Sequence, residues 1–157
     1  AGANALQIFD SWVGAVNSTE YEQAIFPHMK RIISTVKSRF PNLPLAMNGV
    51  GTDHLVSTWA KLPLDVIALD WRSSLGAAKD RGVSQTVQGN LDPAYLYGDT
   101  KTIAKVVDEI LMDGVRHGKH VFNLGHGVFP EADPAKLHWL TDYVHEKSRE
   151  LWARESR

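Results

Sequence analysis

Short apolar runs alternate with longer amphipathic stretches along the whole chain. The first run, Ala5-Leu6-Gln7-Ile8-Phe9-Asp10, closes on a polar group and predicts a buried strand. Beyond a loop containing Gly14, Thr19 and Glu22 stand at capping-box spacing. Ile25, Met29, Ile32, Ile33 and Val36 then fall on one face of a helix. Pro41 and Pro44 bracket the end of that helix and open the strand Leu45-Ala46-Met47-Asn48. A shorter helix is expected around Asp53 to Lys61, followed by the run Asp65-Val66-Ile67-Ala68-Leu69-Asp70, again stopped by a carboxylate. A polar segment from Ser73 to Arg81 leads to Gln85-Thr86-Val87-Gln88-Gly89-Asn90. Asp92-Pro93 and Asp133-Pro134 each read as an N-cap followed by Pro at the first helical position. Ile103, Val106, Val107, Ile110 and Leu111 give a second helical stripe, and Val121-Phe122-Asn123-Leu124 is the fifth strand candidate. Leu137, Leu140, Val144 and Leu151 mark a last, solvated helix.

Mostly apolar strands that alternate with helices are covered on both faces, which indicates an α/β protein with a parallel sheet. No glycine-rich dinucleotide fingerprint follows any of the strands, so a doubly wound reading lacks its signature. In a (β/α) barrel the chemistry sits on the loops after the strands. Here those ends read Phe9-Asp10-Ser11, Asn48-Gly49, Leu69-Asp70-Trp71, Gln88-Gly89-Asn90 and Asn123-Leu124-Gly125-His126-Gly127, with polar groups at every one. A complete barrel takes eight strands and roughly 250 residues. The 157 residues supply about five strands, so the expectation is a partial (β/α)8 TIM barrel, one domain over residues 1–157, with both sheet edges open. The chain starts without Met and runs at once into a strand pattern, as a chain cut inside a βα repeat would.

Composition narrows the chemistry. The net charge of −1, with acidic and basic residues interspersed, leaves no electrostatic footprint for a nucleic acid. No apolar run approaches the ~18 residues of a membrane span and no signal-peptide pattern opens the chain, so a cytoplasmic setting is the default. Cysteine is absent, which excludes disulfides, thiolate nucleophiles and Cys-ligated zinc. His117 and His120 have HxxH spacing, and His138 and His145 share a helical face, but no supporting Cys or Glu pattern accompanies them, and no metal is expected. The tryptophans are expected to pack rather than to form a stacking platform.

Four stretches together resemble the uroporphyrinogen decarboxylase family: Gln7-Ile8-Phe9-Asp10-Ser11-Trp12, Ala68-Leu69-Asp70-Trp71, Gln88-Gly89-Asn90-Leu91-Asp92-Pro93 and Asn123-Leu124-Gly125-His126-Gly127. They occur in the family's order and spacing, and the resemblance runs from about Gly2 to Ser148. It implies that the chain is the C-terminal portion of a (β/α)8 barrel, usually a homodimer, working without metal or organic cofactor. It also implies the reaction: uroporphyrinogen, a small-molecule substrate, loses four acetate carboxyls and becomes coproporphyrinogen, a step of haem biosynthesis. A pyrrole protonated at ring carbon becomes its own electron sink. The protein then has to supply proton transfer, hydrogen bonds to ring nitrogens and partners for the substrate carboxylates. The family's arginines, ring-nitrogen-binding aspartate and tyrosine belong to its N-terminal half, so the chain by itself is expected to be an incomplete enzyme.

Residue by residue, His126 matches the family histidine that faces the substrate, where an imidazole between two glycines could hold a carboxylate or assist proton transfer. Ser11 matches a serine that hydrogen-bonds a substrate carboxylate, and Phe9 is expected to wall the pocket. Asp10 and Asp70 could act as acid–base groups, but strand-end carboxylates also fix loops by accepting from backbone amides, and Asp70 beside Trp71 is assigned to that role. Asn90 and Asp92 read as turn and cap residues. Two other functions fit parts of the pattern. Methyltransferases of the same superfamily use similar barrels with zinc held by Cys and His, which a chain without cysteine cannot build in the usual way. A non-catalytic half barrel would have only association with a matching half as its property.

Overall fold

In the computed structural model, which describes residues 2–155, the chain forms five strands in one sheet: β1 (Leu6–Asp10), β2 (Leu45–Gly49), β3 (Val66–Ala68), β4 (Thr86–Gln88) and β5 (His120–Val121). All pairings are parallel and the spatial order follows the sequence order, with no point at which it reverses. A doubly wound sheet needs such a reversal; a barrel does not. The sheet also curls. Gln88 Nε2 on β4 donates to Gln7 Oε1 on β1 at 3.5 Å, whereas strands three apart in a flat sheet would lie about 14 Å from each other. The expected partial α/β barrel is the observed architecture.

Helices cover the convex side. The first helical stretch is built from α1 (Ser18–Glu20), a π-helical turn at Tyr21–Ile25, and α2 (Phe26–Arg39). Its cap is Asn17, whose side chain accepts from the Glu20 backbone N–H at 2.9 Å, and not the expected Thr19. The Glu22 carboxylate, freed from a capping role, accepts instead from Thr58 Oγ1 and Lys61 Nζ, both at 2.9 Å. Pro27, which has no N–H to leave unsatisfied, sits in the first turn of α2. The expected helix at 53–61 divides into a 3-10 turn, Asp53–Leu55, and α3 (Val56–Trp59).

Parallel register sets the two faces. One row, Ile8, Met47, Ile67, Val87 and His120, points outward; the next, Phe9, Asn48, Ala68, Gln88 and Val121, points inward. Met47, Ile67 and Val87 are fully buried against Tyr21, Met29, Ile33, Leu55 and Trp59 in the main apolar cluster. Each such side chain contributes roughly 1.5–3 kcal/mol by leaving water. Within the cluster the Trp59 indole N–H donates to the Tyr21 hydroxyl at 2.9 Å, and burial pushes the Tyr21 phenol up to about 12.

A second cluster closes the far end. The 3-10 turn Pro93–Tyr97 starts at Asp92, which accepts from Ala94 N at 2.9 Å, as the Asp-Pro pair predicts. Next comes α4 (Thr100–His117), capped by Asp99 through Thr102 N at 2.8 Å, with Arg116 in its last turn, where positive charge suits the helix dipole. Its stripe of Ile103, Val107 and Leu111 meets Leu140 and Val144 of α5 (Pro134–Glu155). Asp133 caps α5 by accepting from Ala135 N at 2.9 Å. The last helix is therefore half-sealed rather than solvated all round, because Leu140 and Val144 are buried.

Candidate functional site

The inward row is short on large apolar groups, and it leaves a concavity of about 610 Å³ over the C-terminal ends of the strands. Phe9 and Ser11 reach it from the end of β1, Asn48 from β2, Gln88 from β4, and Asn123 and His126 from the loop after β5. Phe9, Ser11 and His126, the three site residues read from the sequence, thus line one cavity, and all three are exposed. Asn48, Gln88 and Asn123, polar groups at the expected strand ends, also line it, and so does Gln7. The signal for three of them lies in the period-2 alternation of the strands: Gln7, Asn48 and Gln88 are the polar interruptions of apolar runs, which is how an inward-facing residue reads when one face meets solvent. None of the cavity's lining residues is a Lys or Arg. As it stands, the wall offers amides, a hydroxyl, an imidazole and apolar surface, but no cation.

Close backbone approach shapes the rim. Gly89 has φ +130° and an added Cβ would stand 2.5 Å from the Leu69 carbonyl oxygen, so only glycine fits the QGN turn. Gly125 N donates to Leu91 O at 2.7 Å, which ties the His126 loop to the segment after β4. The His126 ring then meets the Trp71 indole edge-on, with centroids 5.7 Å apart and planes at 84°. Trp71 also carries the Arg72 guanidinium, whose Cζ stands 4.0 Å from the ring centre.

The other candidates sort by geometry. Asp70 is fully buried and its carboxylate accepts from Gly51 N at 2.6 Å, Arg72 N at 3.0 Å, Arg72 Nη1 at 3.1 Å and Ser73 Oγ at 3.4 Å. With both oxygens occupied it fixes loops. Asn90 donates from Nδ2 to the Asp70 and Ser73 carbonyls at 2.9 and 2.7 Å, a turn role in keeping with its reading. Asp10 alternates outward from Phe9 and is absent from the cavity wall; burial raises its carboxyl above the ordinary value. His117 and His120 do not converge. The His117 Nε2–H donates to Gln85 O at 2.8 Å, and the His120 Nε2–H to Gly89 O at 2.6 Å. Burial lowers His120 from its ordinary value, against the opposing pull of its Gly89 hydrogen bond. Among the described residues no three His, Asp or Glu side chains could together hold a metal ion, and no helix is long and apolar enough to cross a membrane.

The sequence model of uroporphyrinogen decarboxylase (URO-D) matches residues 1–147. The chain belongs to the uroporphyrinogen decarboxylase family. A uroporphyrinogen decarboxylase of Staphylococcus carnosus (strain TM300) is 45% identical over 149 residues, covering 95% of this chain and 43% of that protein. Its counterpart in Staphylococcus aureus (strain JH9) is 49% identical over 145 residues, covering 92% of this chain and 42% of that protein. The chain thus spans less than half the length of the curated relatives it matches. Among solved structures, a methyltransferase from Methanosarcina mazei superposes with a TM-score of 0.74 at 16% identity, over 96% of this chain and 43% of that one. At that identity the likeness speaks for the barrel fold alone. The family resemblance read from four short motifs holds across almost the same span, and so does the barrel.

Proposed function

We propose that this chain forms the C-terminal part of the substrate cavity in an enzyme that converts uroporphyrinogen to coproporphyrinogen by removing its four acetate carboxyls. The observation that carries the reading is the meeting of Phe9, Ser11 and His126 in one 610 Å³ cavity at the strand ends of a uroporphyrinogen decarboxylase family member. In this reading the Ser11 hydroxyl donates to a substrate carboxylate and the Phe9 ring packs against the face of the tetrapyrrole. His126 holds a second carboxylate or moves a proton at the reacting ring. Protonation at a pyrrole carbon makes the ring an electron sink, the carbon–carboxyl bond breaks to release CO2, and a proton returns to the exposed carbon. The absence of Lys and Arg from the wall supports a division of labour in which cationic partners for the remaining carboxylates come from the rest of the barrel.

The test is a decarboxylation assay under anaerobic, reducing conditions with uroporphyrinogen, the products being oxidised and separated by chromatography. In a complete barrel containing this chain, His126→Ala lowers turnover at least tenfold, about 1.4 kcal/mol in the barrier. Wild-type kinetics in that variant would remove His126 from the site. The isolated chain is expected to show no turnover, and stepwise carboxylate loss from it would overturn the division of labour.

A further inference from the structure

Four strand-end loops meet on the dipeptide Asp70-Trp71. The loop after β2 reaches it through Gly51 N on the Asp70 carboxylate, and its own loop through Arg72 N and Ser73 Oγ. The segment after β4 reaches it through Asn90 Nδ2 on the Asp70 carbonyl. The loop after β5 packs so closely that a Cβ on Gly125 would lie 2.5 Å from Trp71 N and 3.1 Å from the Asp70 carbonyl carbon. The Trp71 indole is itself held: Arg72 stacks on it at 4.0 Å while its Nη1 is tied to the buried Asp70 carboxylate at 3.1 Å. His126 has the opposite character. It is exposed between two glycines, a Cβ on Gly127 would meet nothing within 4 Å, and its ring makes no hydrogen bond among the described residues. The contact that orients it is the edge-to-face meeting with Trp71.

We propose that Trp71 is the positioning residue for His126: the indole, anchored through Arg72 and Asp70 to the loops of four strands, fixes the imidazole in an orientation its glycine-flanked loop would not hold alone. The inference rests on the reading of His126 as a group that works on substrate in this cavity. Trp71 itself does not line the cavity, so it touches no substrate there and acts through the histidine.

The test uses a complete barrel containing this chain, with Trp71→Ala, Trp71→Phe, His126→Ala and the Trp71→Ala/His126→Ala double variant. Trp71→Ala is expected to lower kcat about tenfold with KM changed less than about twofold, since misplacing a reacting group costs rate rather than binding. Trp71→Phe keeps a ring edge and is expected to recover most of the loss. The double variant is expected to be no slower than His126→Ala; losses that multiply would overturn the proposal, because a residue acting through His126 has nothing left to act on. A second readout does not depend on turnover. In protein carrying ¹³C-labelled histidine, relaxation of the His126 ring carbons is expected to report a more mobile ring in Trp71→Ala, and unchanged relaxation in a folded variant overturns the proposal. If mobility rises while His126→Ala keeps wild-type kinetics, Trp71 positions the ring and it is the role of His126 that fails. Should Trp71→Ala not fold, Trp71→Leu against Trp71→Phe gives the same two readouts.

Discussion

On the outer face of the sheet Met47, Ile67 and Val87 are closed off by helices, while one residue further along each strand Asn48, Ala68 and Gln88 face a concavity. The two rows share their backbones and hydrogen-bond ladders and differ only in which way the side chains point. The outer row, His120 apart, is apolar because nothing there can satisfy a polar atom except a specific partner, as Trp59 and Tyr21 provide for each other. The inner row tolerates amides because they reach the cavity. Stability and chemistry are thus sorted by the parity of the residue, and a shift of one position moves a side chain from one task to the other.

The largest effect that tests this contrast is a pair of truncations one strand apart. Ile67→Ala, at a fully buried outer position, is expected to cost about 2–5 kcal/mol, the transfer term plus the cavity left behind. Gln88→Ala, on the inner row, is expected to stay within about 0.5 kcal/mol. Urea unfolding of both variants measures the difference, and equal losses would abolish the distinction between the faces. A smaller change sharpens it. Tyr21→Phe keeps the ring and removes the acceptor of the Trp59 N–H, stranding a buried donor at about 1–3 kcal/mol. The same measurement reads this loss, and a neutral result would mean that the indole N–H finds another partner.

Much of this arrangement was legible in the sequence. The five apolar runs fall on the five strands in order, and the recurrence of polar residues at their ends marked the barrel rim. Asp92 and Asp133 cap where the Asp-Pro pairs placed them, because Pro at the first turn leaves little freedom. Other features were hidden for identifiable reasons. Asn17-Ser18-Thr19 offers three capping side chains in a row, and the π-helical turn at Tyr21–Ile25 then breaks the 3.6-residue spacing on which the Thr19–Glu22 reading depended. The last strand is His120–Val121 and shares only Val121 with the expected Val121-Phe122-Asn123-Leu124, although its ladder continues through Leu91 N to Asn123 O at 3.1 Å. Gln7 lies inside an apolar run, where spacing alone does not say which face it takes. The contact between Trp71 and His126 joins residues 55 positions apart and leaves no trace in spacing.

The smallest effect comes from the one polar member of the outer row. His120 stands in register with Val87 and faces α4, where a Cβ on Gly114 would meet its ring nitrogen Nδ1. Burial, and secondarily the neighbouring His117, favour the neutral ring, while the hydrogen bond to Gly89 O works the other way, and the net result is a value below the ordinary 6.5. With the folded value depressed, the unfolded chain binds more protons as the pH falls below about 6.5, so the stability that His120 contributes is whole above that pH and declines beneath it. Asp65 is depressed as well: burial alone would raise it, but Lys37 and the Leu45 N–H together outweigh that, so its contribution declines only below the ordinary carboxylate value of 3.8. His120 begins to lose its contribution at a higher pH than Asp65 does. Urea midpoints measured from pH 7 down to pH 5 should therefore fall in the wild type and fall less steeply in His120→Gln, with Asp65→Asn keeping the wild-type slope. An unchanged slope in His120→Gln would mean that the burial of His120 leaves no mark on the pH dependence of stability and that the outer row carries no group titrating in this range.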